Sequence, residues 1–427
     1  MNLPSRPQLV VSAVSVLRSP AFAQALTLTA IGMLFLSHTV RGVMGWPALI
    51  AGLVVLVLLA AASITLRRGD TEWRGLLPIS LLVFLGWSGV SILFTEYQWA
   101  ALGSVLYQFC VAFLAVYIAL TRDLIQIVRA FGDVLRVVLA ASLVIEVIAG
   151  ILLDTPVRFL NIAGALDVGG PIQGLLGTRN QLGLVAVMAL VTFVVELLSR
   201  SVPTPVAVGS IALASLAILF TQSPVTYGVL LVTSVAAGAL VLLRRVDATA
   251  RRAGQVVLLV ATVIALLGLL AGRGRVVALL NAGSEFEVRY GLWQRILSLT
   301  PQNTLEGFGW IGWWRRELPP YIALDSPFVP RETALNAYID VLLQLGLVGL
   351  CAFIALMGLA FVRSWLLAAN KRSIVYLWLA LMLTVLVSIS FAESSVLVEF
   401  GWLTLVICAI KASQDLSWRA RLPETTG

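Results

Sequence analysis

Residues 272–335 read GRGRVVALLNAGSEFEVRYGLWQRILSLTPQNTLEGFGWIGWWRRELPPYIALDSPFVPRETAL, from Gly272 to Leu335, and this polar stretch interrupts an otherwise oily chain. The 427 residues are 60% hydrophobic and 12% charged, with mean hydropathy +0.99, which is more apolar surface than a water-soluble core can hide. The flanking sequence is therefore membrane-embedded, and the interruption is where chemistry is expected.

Runs of about 17 to 25 apolar residues cross a bilayer as helices, because in hydrocarbon every backbone polar group must bond within its own segment. The sequence offers about twelve such runs, with residues 272–335 between the ninth and tenth. The expected fold is all-α: a polytopic membrane protein forming a single integral-membrane domain over 1–427. Basic residues fix its orientation. Arg67, Arg68, Arg74, Arg122, Arg129, Arg136, Arg200, Arg244, Arg245, Arg251, Arg252, Arg363, Lys371 and Arg372 fall on one set of alternate loops. Arg6, Arg18, Lys411, Arg419 and Arg421 in the tails join them, which by the positive-inside rule makes both termini cytoplasmic and the long loop extracytoplasmic.

The net charge of +8 is spread between apolar spans rather than gathered on a soluble face, so no nucleic-acid partner is expected. Cys110, Cys351 and Cys408 lie far apart inside apolar runs. No His, Cys or carboxylate group has metal-ligand spacing, so neither a metal nor a cofactor is expected. The N-terminal stretch has no small-residue cleavage site and reads as retained cytoplasmic sequence, with a possible surface helix. Trp46, Trp99, Trp310, Trp313 and Trp314 read as interface anchors.

Within the loop, Phe286, Leu292, Trp293, Ile296, Leu297 and Leu299 recur at helical spacing, predicting an amphipathic helix on the membrane surface or over a cavity. GFGWIGWW at 307–314 combines glycines that allow close backbone approach with aromatic faces suited to sugar rings or lipid. Asn336, Asp340 and Gln344 share one face of the span that follows, and polar groups there face protein or a wet cavity. The loop carries seven arginines, whose guanidinium forks match phosphate geometry and keep their charge at low dielectric. Those charges fit either a lipid-linked diphosphate or acidic headgroups.

GTRNQLGL at 177–184, TQSPVTYGVLL at 221–231, EVRYGLW at 287–293, GFGWIGWW at 307–314 and LNAYIDVLLQLGLVGL at 335–350 resemble, in that order, the bacterial O-antigen ligase and O-antigen polymerase superfamily. The resemblance runs from about residue 75 onward. It implies a glycosyltransferase of the bacterial inner (plasma) membrane that works in cell-envelope polysaccharide assembly. Such an enzyme moves a glycan from a polyprenyl-diphosphate donor to a glycan or lipid acceptor at the extracytoplasmic face, among membrane lipids. Arg289 and Trp293 occupy the family's arginine and tryptophan positions, and Arg179, Asn180, Arg331 and Asn336 are further candidates for substrate binding.

Two departures stand out. Pro224 follows Ser223 where the family carries an arginine, and Leu335 precedes Asn336 where it commonly carries a histidine proposed as the base. The only histidine is His38, at the end of the first span. Three explanations are open. A nearby carboxylate, Glu332 before Asp325 or Asp340, serves as base; the reaction needs no strong base; or transferase activity has given way to binding or moving the lipid-linked glycan. Glu332 and Arg289 are the candidate catalytic residues. The alternative functions are a transporter or flippase, or a noncatalytic partner in envelope assembly.

Overall fold

A computed structural model of the chain describes residues 14–67, 77–272, 274, 283–325 and 331–415. Arg6, Arg68, Arg74, Arg273, Arg275, Arg419 and Arg421, which entered the charge reading, lie outside the described residues, as does most of the expected N-terminal surface helix. The described regular structure is helical throughout, apart from one isolated bridge between Val157 and Ile162.

The helices are α1 (Pro20–Phe35), α2 (Ser37–Leu66), α3 (Ile79–Val90), α4 (Gln98–Thr121), α5 (Leu124–Val147), α6 (Arg179–Ser199) and α7 (Thr204–Thr221). They continue with α8 (Pro224–Arg245), α9 (Ala248–Ala271), α10 (Gly283–Leu299), α11 (Tyr321–Leu324), α12 (Ala337–Asn370), α13 (Tyr376–Ile389) and α14 (Glu399–Asp415). Among the described residues, eight helices are long and apolar enough to cross a membrane, and Pro20–Phe35, Ile79–Leu93 and Tyr376–Ile389 are apolar but shorter. Local breaks account for some of the shortness. The first span halts at Leu36 before α2 resumes, and α3 tightens into a 3-10 turn at Ser91–Leu93.

The core gathers on α6, α13 and α14. Trp378 donates from Nε1 to Thr192 Oγ1 at 3.0 Å, and Trp402 packs its ring 5.6 Å from Phe84. Both indoles are sealed from solvent, and Trp402 also donates from Nε1 to Gln108 O at 3.3 Å, so aromatic area and two hydrogen bonds together fix how these helices meet. By contrast, α9 exposes Val256, Val257, Leu259, Val260, Val263, Ile264 and Leu267 around much of its circumference, as a lipid-facing helix does.

The loop is a folded unit rather than a strap. Leu292 and Ile296 of α10 pack with Ile311, Trp314, Tyr321, Leu324, Ala334 and Leu343 in a small core of their own. The amphipathic helix thus exists, with its apolar face turned into this core. The glycine-rich run docks in a break in α12. At Gly346 (φ +64) the helix opens, and Phe308 N and Gly309 N donate to Leu343 O and Gln344 O at 3.0 and 2.7 Å. Leu347 N then donates to Thr304 O at 2.9 Å, so the freed backbone groups are satisfied by the loop. A Cβ on Gly346 would overlap the Leu305 carbonyl, which is why glycine stands there.

Two of the expected interface anchors have a different place. Trp310 and Trp314 are buried, the first against Phe84 and the second donating from Nε1 to Asp340 Oδ1 at 2.8 Å. The loop folds inward over them, which residue type alone does not reveal. Trp99, 85% exposed, and Trp46, 45% exposed, lie at the surface.

Candidate functional site

Three helices begin at the end of the bundle that meets the loop, each with a side-chain cap. Thr178 caps α6 through Gln181 N at 3.2 Å, Ser223 caps α8 through Thr226 N at 3.1 Å, and Asn336 caps α12 through Tyr338 N and Ile339 N at 3.0 and 3.1 Å. Ser223 also donates to Asn180 Oδ1 at 2.7 Å, which ties the first turn of α6 to that of α8. Pro224 after it occupies the first helical position, where its missing N–H is harmless, so a helix start stands where the resemblance led one to expect an arginine.

The turn between α13 and α14 closes the group. Glu393, 8% exposed, accepts from Asn180 Nδ2 at 2.7 Å and from Arg289 Nη2 at 3.3 Å. Two residues away, Phe391 O accepts from Asn336 Nδ2 at 3.1 Å. Arg179 donates to Gln222 O at 3.4 Å. Arg289, Asn180, Arg179 and Asn336 are thereby brought to one place, where three helix N-termini present their positive dipole ends. Arg289 lies one helical turn before Leu292 on the face of α10 that enters the loop core, which accounts for its burial.

The remaining candidates are arranged differently. Trp293 is half-buried and donates from Nε1 to Ala334 O at 2.9 Å, pinning α10 to the return of the loop. Arg331 donates its backbone N–H to Asp325 Oδ1 at 3.2 Å, and Glu332 gives its carbonyl to Trp314 N at 2.8 Å while its side chain is exposed. Asn336 spends both ends of its amide on the cap and on Phe391, so its observed contacts are structural. Asp340 is consumed likewise: besides Trp314 it accepts from Ala334 N at 3.1 Å and Gln344 Nε2 at 2.8 Å. Asp325 accepts from Arg331 N and lies 3.8 Å from Arg316 Nε. Leu335 adopts φ 52, the left-handed region that a leucine seldom enters, as the chain turns into the α12 cap. Across the loop, Tyr97 and Tyr321 are joined hydroxyl to hydroxyl at 3.2 Å, and burial pushes both phenols up, so they act as neutral partners.

A second polar cluster lies at the same end and was not anticipated. Glu399, buried at the start of α14 with φ 49, accepts from Ser37 Oγ at 2.5 Å, pairs with Arg41, and accepts from Trp313 Nε1 at 3.3 Å. The Arg41 guanidinium sits 4.7 Å from the ring of Trp46 and 5.1 Å from that of Trp313, in cation–π contact with both. Neither Glu393 nor Glu399 was singled out in the sequence. The available signal was two carboxylates within FAESSVLVEF, 391–400, between or inside apolar runs, where ionisable groups are expensive. Among the described residues no group of His, Cys, Asp or Glu is arranged to hold a metal ion.

The fold and site together define a multi-pass membrane protein with a basic, helix-capped site beneath a folded loop. Residues 209–354 match the family model described as O-antigen ligase, an interval that runs from α7 into α12 and encloses the whole loop. This match makes residues 209–354 similar to the O-antigen ligase family, in line with the resemblance read from the sequence. The matched interval is narrower than the resemblance read from the sequence: GTRNQLGL at 177–184 lies before it, and Glu393 and Glu399 lie after it. No curated protein matches the chain.

Proposed function

We propose that this protein is a glycosyltransferase that moves a glycan from a polyprenyl-diphosphate donor to an acceptor hydroxyl at the extracytoplasmic face of the bacterial inner membrane. In this reading the chain spans the membrane about twelve times, with both termini cytoplasmic and the loop outside. The observation that carries the reading is the meeting of Arg289 and Arg179 with the N-termini of α6, α8 and α12 around Glu393. Such a site favours a diphosphate.

As the sugar–phosphate bond breaks, negative charge grows on the leaving diphosphate. Arg289 and Arg179 offset it from fixed positions, the form of stabilisation that favours the transition state over the ground state. Asn180 holds the Glu393 carboxylate that orients Arg289. Trp293 fixes α10 to the loop's return, and Arg331 and Glu332 flank the side on which the acceptor arrives, with Glu332 supplying negative charge there.

The carboxylates that a transporter would use for an ion path are committed to structure. Glu146 accepts from Gln173 N and Gly174 N at 2.7 Å each, clamping a turn, and Glu196 is paired with Arg136. The test is reconstitution in proteoliposomes with a synthetic polyprenyl-diphosphate-linked oligosaccharide and a hydroxyl-bearing glycan acceptor. Release of free polyprenyl diphosphate that depends on the acceptor is the expected result. Binding of the donor with no release, or its movement between leaflets, would overturn the assignment.

A further inference from the structure

Glu393 stands in the turn between α13 and α14, and the start of α12 fastens that turn. Ala337 N donates to Ser390 O at 2.8 Å, and Asn336 Nδ2 donates to Phe391 O at 3.1 Å. Glu393 N donates back to Ile389 O at 2.8 Å, so the residue itself is held by the end of α13. From this place Asn180 Nδ2 and Arg289 Nη2 both donate to the same carboxylate oxygen, Oε1, at 2.7 and 3.3 Å. One acceptor oxygen thus joins the arginine of the loop to the asparagine of the bundle. An amide oxygen in that place would accept the same two bonds. Orientation of Arg289 accounts for the acceptor, and the negative charge needs a further reason.

In the empty site the charge offsets the guanidinium, since a buried cation without a partner is costly. With a diphosphate bound through Arg289, the same carboxylate becomes a like charge on the other side of one guanidinium. The proposed reaction makes that second condition matter. In the donor the diphosphate is esterified at both ends. On transfer, the acceptor oxygen bonds to the anomeric carbon as the bond from that carbon to the phosphate oxygen breaks. The electron pair leaves with the diphosphate, and the acceptor's proton passes to water. The released lipid now ends in a free phosphate whose second ionisation falls at about pH 6, so at neutral pH it carries more negative charge than the donor did. A site made only of Arg289, Arg179 and helix N-termini would hold this product more tightly than the donor, and turnover would stall on release.

We propose that Glu393 is the counter-charge that evens the site's hold on donor and product, so that polyprenyl diphosphate leaves once its glycan is transferred. The inference rests on the transferase reading above. Glu393 acts through Arg289 and is a positioning residue, one whose charge, as well as its acceptor oxygen, is used.

The test measures binding to full-length protein in nanodiscs with two synthetic probes, polyprenyl diphosphate and its terminal methyl ester. The probes share lipid and diphosphate and differ in charge at neutral pH. Wild type should bind the two with similar affinity. Glu393→Gln, which keeps an oxygen for Asn180 and Arg289, should bind both more tightly and favour the free diphosphate by about tenfold or more, the scale of one nearby charge. Glu393→Asp, which keeps the charge, should retain the wild-type lack of preference. In turnover with the donor and acceptor used above, Glu393→Gln should lower kcat more than kcat/KM and become more sensitive to added polyprenyl diphosphate. A purely structural role would instead weaken both probes alike. Wild type favouring the free diphosphate by about tenfold would overturn the proposal without any variant having to fold. So would Glu393→Gln binding it no more tightly than wild type. Acceptor-dependent release by wild type alongside either of those results would leave the transferase reading standing alone, whereas no release by wild type would remove both.

Discussion

The two charged clusters at the loop end use the same kinds of group in different ways. In the first, Glu393 joins an arginine of the loop to an asparagine of the bundle, so its bonds cross the boundary between the two units. In the second, Ser37, Arg41 and Glu399 all come from the bundle, and the loop adds only the indole of Trp313. A guanidinium held from across a boundary can exchange carboxylate for diphosphate oxygens as a ligand arrives. One held between two indoles and a buried carboxylate is a fixture. On the proposed function the first cluster belongs to the ligand, while the second ties α2 to α14 as part of the frame beneath it.

That division can be broken by substitution. Glu399→Ala should have the largest effect on folding, since it leaves the Arg41 charge without its partner, at a cost of about 3–5 kcal/mol. A Tm in detergent that matches wild type would show the second cluster not to be a frame. Asn180→Ala should act on the first cluster alone, removing bonds to Glu393 and Ser223 for about 1–3 kcal/mol, with a fall in donor turnover larger than its stability loss accounts for. Trp293→Phe removes one bond to Ala334 O and should lower stability by about 0.5–1.5 kcal/mol, read as loosened hydrogen exchange of residues 331–335. Trp99→Ala, at an exposed anchor, should stay within about 0.5 kcal/mol of wild type by thermal unfolding.

Much of the architecture is carried by local pattern. Apolar run length announces the spanning helices, and helical spacing from Phe286 to Leu299 announces α10, whereas Asn336, read as part of a helix face, proves to be the cap in front of α12. Arg289 and Asn180 were legible because short motifs mark them. Glu393 was not, because its partners stand 104 and 213 positions away and only folding pairs them. Trp310 and Trp314 misled for a related reason: an indole that suits an interface suits a loop core equally well, and the break at Gly346 that admits the loop shows in sequence only as one more glycine in an apolar helix. His38 and Arg41 were visible as residues, but their neighbours Gly177 and Glu399 come from elements far along the chain.

Arg289→Ala tests the central claim most directly, assayed in proteoliposomes for acceptor-dependent release of polyprenyl diphosphate alongside the folded fraction. The account predicts a fall of about 10²–10³ in release per folded molecule, by analogy with loss of one donor to developing charge, beyond what the lost Arg289–Glu393 ion pair costs in Tm. Release at the wild-type rate, or a fall no greater than the loss of folded protein, would contradict it.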